Sequence, residues 1–107
     1  MLVRGATAVE KERPVEKTTA IVADPVGFHL RAAGRIVKLA KTFASDITVH
    51  FEGRMANAKS IMGLASLAAD CGSEVEIRAE GPDAEAAVAA LSRLIAVDLA
   101  HAEEREA

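Results

Sequence analysis

The sequence predicts an α+β domain whose helices lie on one face of a small sheet. Residues 47–51 and 75–80 alternate apolar and polar side chains, as half-buried strands do. Segments beginning near Leu30, Ser60 and Ala84 repeat their apolar residues at helical spacing. The elements interleave as β-α-β-β-α-β-α, and each must bury its apolar side against another layer.

Residues 1–16 mix Glu10, Lys11, Glu12, Arg13 and Glu16 around Pro14 without periodicity, and read as a flexible extension. Residues 18–23 are short and rich in β-branched side chains, which predicts a first strand. Asp24-Pro25-Val26-Gly27 breaks it with turn residues. From residue 30 to about 44, Ala33, Ile36, Val37, Ala40 and Phe43 form one buried stripe, with Arg35, Lys38 and Lys41 on the other face. In the next strand Ile47, Val49 and Phe51 share a buried face. Glu52-Gly53 turns the chain, and residues 54–56 return as a short strand. Residues 60–69 form a short helix with Ser60 at its N-cap and Leu64, Leu67 and Ala68 inward. Gly72 is its expected C-cap, and Cys71 is a small filler at the helix end. After the strand at 75–80, Gly81-Pro82-Asp83 opens the last helix. Pro82 suits its first turn, and Asp83 and Glu85 its positive end. Ala84, Ala87, Val88, Leu91, Leu94 and Ile95 supply its buried face. The domain is expected over 17–101, with 102–107 a solvated tail.

Half of the 107 residues are hydrophobic, but only 3% are aromatic, so the core must be aliphatic. A net charge of -3 argues against nucleic acid as a partner. The single cysteine excludes an internal disulfide and suits a reducing compartment. No apolar run is long enough to insert in a membrane, and the N-terminus has no signal-peptide pattern. A cytoplasmic location is expected.

The most informative stretch is Gly27-Phe28-His29-Leu30-Arg31-Ala32-Ala33-Gly34. It puts a histidine where a turn runs into an amphipathic helix. A helix start offers free N–H groups and a partial positive charge, both of which favour anions. Arg31 adds a planar, permanently charged phosphate-binding fork. A neutral imidazole is nucleophilic near neutral pH, and the helix start and Arg31 both disfavour the imidazolium. His29 is therefore a candidate phosphoryl acceptor, with Arg31 as the phosphate contact. No paired carboxylates, Cys–His pair or Gly-rich nucleotide loop accompanies it, which argues against an enzyme active site. His50 lies on the polar face of its strand and His101 in the tail, at spacings that offer no metal site and no second acceptor.

A second motif, Lys59-Ser60-Ile61-Met62-Gly63-Leu64, starts another helix. With both motifs in order and at this separation, residues 18–100 resemble the HPr family, the histidine-containing phosphocarriers of the bacterial phosphotransferase system. The family pattern is Gly-aliphatic-His-small-Arg-Pro-Ala, then Lys-Ser-Ile-Met-Gly-Leu. Phe28, Leu30 and Ala32 depart from it, Ala32 standing in place of the proline. The departures bear on partner choice and transfer rate more than on the chemistry.

The resemblance implies an open-faced sandwich, three helices covering one side of a four-stranded antiparallel sheet. It implies that His29 takes a phosphoryl group, on the ring nitrogen nearer the backbone, from phosphoenolpyruvate-charged enzyme I. It implies passage to a histidine of an enzyme IIA domain, with no metal or organic cofactor, by a monomeric carrier. Ser60 would be the site of an ATP-dependent HPr kinase/phosphorylase. Leu30, Arg35, Ile61, Met62 and Ala65, from the first and second helices, would dock partners, with Lys38 adding positive charge. An alternative is a regulatory phosphotransfer protein controlled through Ser60, without a role in sugar uptake.

Overall fold

The computed structural model describes residues 13–101. The strands are β1 (Val15–Ile21), β2 (Asp46–Phe51), β3 (Arg54–Asn57) and β4 (Glu74–Glu80). The helices are α1 (Leu30–Ala40), α2 (Ile61–Ser66) and α3 (Ala84–Ala96), followed by a 3-10 turn at Asp98–His101. The sheet order is β1-β4-β2-β3 with every neighbouring pair antiparallel. This is the open-faced α+β sandwich that the resemblance implies.

Pleating puts Ala20, Ile47, Val49, Val75, Ile77 and Ala79 under the helices, all buried. Register aligns them across strands, Val49 opposite Ile77 and Ala20 opposite Val75. The helices answer with Ile36, Leu64, Leu67, Leu91 and Ile95, and Leu99 of the 3-10 turn closes the layer. Each such side chain stabilises the fold by roughly 1.5–3 kcal/mol through apolar burial. Thr48, His50, Glu76 and Arg78 lie between the buried positions and occupy the open face.

Element ends depart from the sequence reading for identifiable reasons. β1 begins at Val15, where the reading placed a flexible extension through residue 16. Val15 and Glu16 pair with Glu80 and Ala79, and Pro14 accepts the Gly81 N–H at 2.9 Å. The remainder of that extension, residues 1–12, and the tail at 102–107 lie outside the described residues. Val22 and Ala23 have left the sheet, and their N–H groups donate to Ser73 and Ile95 carbonyls at 2.8 and 3.0 Å.

α1 stops at Ala40, not near residue 44. Both Asp83 carboxylate oxygens accept N–H bonds from Ala44 and Ser45, at 2.8 and 2.9 Å, and pull the chain away from the helix. Lys59 holds the same loop by donating its ammonium to the Phe43 and Ser45 carbonyls, each at 3.0 Å. Phe43 is consequently only half-buried.

α2 also ends early, at Ser66. Leu67 and Ala69 both enter the core, a spacing of two that a helix cannot provide. Ala68 between them takes a left-handed conformation (φ 55°) and is exposed, contrary to its expected burial. Gly72 serves the turn into β4 instead of capping the helix, and Cys71 beside it is exposed and fills no gap. Pro82 precedes the α3 N-cap residue Asp83 and so stands just outside the first turn.

Candidate functional site

The turn before α1 is set by close contact with the end of the α2 loop. Gly27 has φ +87°, and a Cβ there would sit 2.5 Å from the Ala69 carbonyl oxygen. Only glycine tolerates both conditions. Phe28 donates its N–H to that same carbonyl at 2.9 Å, and its ring is buried. The ring thus fills core where the family carries an aliphatic residue. These anchors fix the direction in which His29 leaves the turn.

His29 is the N-cap of α1, in extended conformation, and its carbonyl accepts the Ala33 N–H at 2.8 Å. Its ring nitrogen Nδ1 accepts the Arg31 backbone N–H at 3.2 Å. An accepting Nδ1 carries the lone pair, so in the neutral ring the proton resides on Nε2. Nε2 lies 3.3 Å from Oδ1 of Asp24. The His29 side chain is 27% exposed and that of Asp24 is fully buried. Nδ1 thus presents its lone pair at the start of α1. The Arg31 side chain is exposed and makes no ion pair among the described residues. It is free to meet an anion.

Asp24 escaped the sequence reading, which counted only groups that disfavour a cation at His29. It belongs to a segment read as a strand breaker. The usable signal was the Asx turn: Asp24 Oδ1 accepts the Val26 N–H two residues on, at 2.8 Å. That bond folds the carboxylate back inside the turn, toward whatever leaves it.

Ser60 caps α2 as expected, its Oγ accepting the Gly63 N–H at 3.0 Å. Leu30, Ile61 and Met62 are exposed, by 61%, 41% and 71%, while Leu64 is buried. Ala65 is half-buried. α1 and α2 pack against each other, so both helix starts belong to one layer. Arg35 is placed differently from the other four docking candidates. With Lys38, Leu39 and Thr42 it lines a groove against Leu94 and Asp98, on the α3 side of α1.

His50 stands on the sheet's open face, its Nε2 2.9 Å from the Thr48 hydroxyl. Burial lowers its pKa, Arg78 lowers it further and Glu76 opposes them. Among the described residues no three His, Cys, Asp or Glu side chains group as a metal site. No helix there is long and apolar enough to cross a membrane.

A small sheet thus backs a helix start capped by a histidine. Residues 16–97 match the family described as "PTS HPr component phosphorylation site". The chain is 46% identical over 76 residues to the phosphocarrier protein HPr of Treponema pallidum, covering 71% of this chain and 86% of that one. It is 40% identical over 82 residues to HPr of Cupriavidus necator, covering 77% and 91%. The HPr crystal structure from Bacillus anthracis superposes with a TM-score of 0.73 at 38% identity, over 76% of this chain and 96% of that one. The chain belongs to the HPr family of phosphocarriers.

Proposed function

We propose that the protein carries a phosphoryl group on Nδ1 of His29, from phosphoenolpyruvate-charged enzyme I to a histidine of an enzyme IIA domain in sugar uptake. The observation that carries this reading is an Nδ1 lone pair held at a helix start by the Arg31 N–H. The Nδ1 pair attacks phosphorus as the bond from phosphorus to the donor nitrogen breaks, and that nitrogen recovers its pair. The Arg31 N–H then turns from Nδ1 to a phosphoryl oxygen, and the guanidinium spreads over the others. Helix-end and charge contacts of roughly 0.3–1 kcal/mol, up to about 2 when partly buried, hold the group without trapping it. Transfer to IIA reverses the same steps. The carrier works as a monomer in the cytoplasm and takes no cofactor. Leu30, Ile61, Met62 and Ala65 meet the partners, and Arg35 and Lys38 lend positive charge at the side.

Incubation with phosphoenolpyruvate and enzyme I, followed by intact mass before and after mild acid, tests this. One acid-labile phosphoryl group is expected on the wild type and none on His29→Ala. A stable adduct, or one that survives in His29→Ala, would sink the reading.

A second reading is favoured by Ser60, whose cap stands beside exposed Ile61 and Met62. Phosphoserine there would keep the cap, add about -1.5 to -2 charges and repel partners from that apolar surface. A Bacillus subtilis protein titled as a catabolite repression protein, Crh, matches at 39% identity with a TM-score of 0.62, over 66% of this chain and 82% of that one. Its regulatory title fits a carrier controlled by an HPr kinase/phosphorylase at Ser60. Acid-stable phosphate on Ser60 after incubation with that kinase and ATP is its expected sign.

A further inference from the structure

We propose that Asp24 is the counter-ion of His29. It holds the proton on Nε2 and balances the charge that the ring gains when Nδ1 takes a phosphoryl group. This rests on the carrier reading and assigns a positioning residue to it.

The carboxylate is fully buried, and its Oδ1 is fixed by the Val26 N–H at 2.8 Å. The same oxygen faces His29 Nε2 at 3.3 Å. That contact is too poorly aligned to be a hydrogen bond. Asp24 Oδ2 and His29 Nε2 are both buried atoms without a hydrogen-bond partner among the described residues. A buried carboxylate with an idle oxygen is costly. Turn formation alone needs one acceptor oxygen and no charge, so it does not account for an aspartate here.

Phosphoryl transfer supplies the missing partner. A neutral ring that attacks through Nδ1 keeps its Nε2 proton, so the adduct is a cationic phosphoimidazolium. Its positive charge is shared around the ring, and the Nε2–H that bears part of it faces Asp24. The attraction is therefore stronger in the transition state and adduct than in the resting ring, as an accelerating interaction must be. Contacts of this kind are often long in the resting protein and tighten when the charge appears. Arg31 pulls the other way on the ring, but in the proposed adduct its guanidinium contacts the phosphoryl group and compensates there. An opposite charge within about 4–6 Å favours a charged group by a factor of ten to a thousand. With His29 27% exposed, the low end applies.

Asp24→Asn removes the charge and keeps an oxygen for the Val26 N–H. Three measurements on this variant and the wild type, with 15N-labelled histidine, decide the matter. In the phosphorylated wild type, the Nε2 proton should be visible, shifted downfield and protected from water exchange. In the variant its exchange should speed up about tenfold. The equilibrium constant for acceptance from phosphoenolpyruvate through enzyme I should fall about tenfold, with melting temperature within a few degrees of wild type. Equal constants and equal exchange rates would overturn the role of Asp24 and leave the carrier reading standing. A freely exchanging Nε2 proton in the phosphorylated wild type would overturn it even if the variant failed to fold. A wild type that accepts no phosphoryl group from either enzyme I or phosphoramidate would overturn both.

Discussion

The starts of α1 and α2 solve one problem with different atoms. Each must satisfy backbone N–H groups that have no partner within the helix. At α2 a serine hydroxyl accepts the third N–H, from Gly63, at 3.0 Å. At α1 an imidazole nitrogen accepts the second, from Arg31, at 3.2 Å. The hydroxyl is a poor nucleophile near neutral pH, whereas the imidazole lone pair is a good one. On the proposed carrier reading the α1 cap is also the reactive atom, and a phosphoryl group arriving there would inherit the N–H that the nitrogen releases. A cap made from a nucleophile would then give an anion site that is occupied until it is needed.

Gly27→Ala breaks the comparison most severely, because it strikes the turn that presents the α1 cap and spares the α2 cap. The variant would need a left-handed alanine with its Cβ 2.5 Å from the Ala69 carbonyl oxygen. Strain and overpacking together should cost about 3 kcal/mol. Chemical denaturation should show that loss, and phosphoryl acceptance should fall with it. Gly53→Ala, at φ +79° with open space around the new Cβ, carries the strain without the clash. Its loss should be smaller, and an equal loss in the two variants would rule out the Ala69 contact as the cause.

How much of this was legible in the sequence differs between the two helix starts. Ser60 declared itself, because serine before an apolar helical stripe is a local signal and capping is a local bond. His29 and Arg31 were equally plain as residue types. Asp24 was not, because the role proposed for it depends on a turn folding its carboxylate under a ring five positions on. The same division holds for the fold. Alternation placed β2 and β4, β-branched composition β1, the turn at Glu52-Gly53 β3 and helical spacing the three helices, but pairing order came only with the family resemblance. The ends of α1 and α2 were misread because distant groups, Asp83 and Lys59 for one and the buried Leu67–Ala69 pair for the other, overrule local preference. Exposed Cys71 had no readable signal at all.

Removing the caps one at a time sharpens the comparison on a smaller scale. Ser60→Ala and His29→Ala should each cost about 1 kcal/mol of stability. Only the second should abolish the acid-labile phosphoryl group. Ser60→Asp should restore stability, since aspartate is as good an N-cap as serine. It should still weaken partner binding by placing charge beside Ile61 and Met62. Isothermal titration against enzyme I separates the two effects, and unchanged affinity for Ser60→Asp would exclude this surface from docking.

The start of α3 offers a third case with the smallest effect. Asp83 occupies the N-cap position but makes no side-chain bond to its own helix. Its carboxylate instead takes the Ser45 hydroxyl and the Ala44 and Ser45 N–H groups. These bonds, the Ser45 hydroxyl foremost, hold its pKa below the ordinary 3.8. A carboxyl whose pKa is lowered by folding binds fewer protons in the native state than in the unfolded one. Its stabilisation is therefore complete above the unfolded value and fades as pH falls through the folded one. Denaturation midpoints of wild type and Asp83→Asn should differ most above about pH 5 and converge below 3.8. Open access to water keeps that difference modest. A gap that persisted undiminished into acid would mean that the hydrogen-bond geometry of Asp83, not its charge, ties the α1–β2 loop to α3.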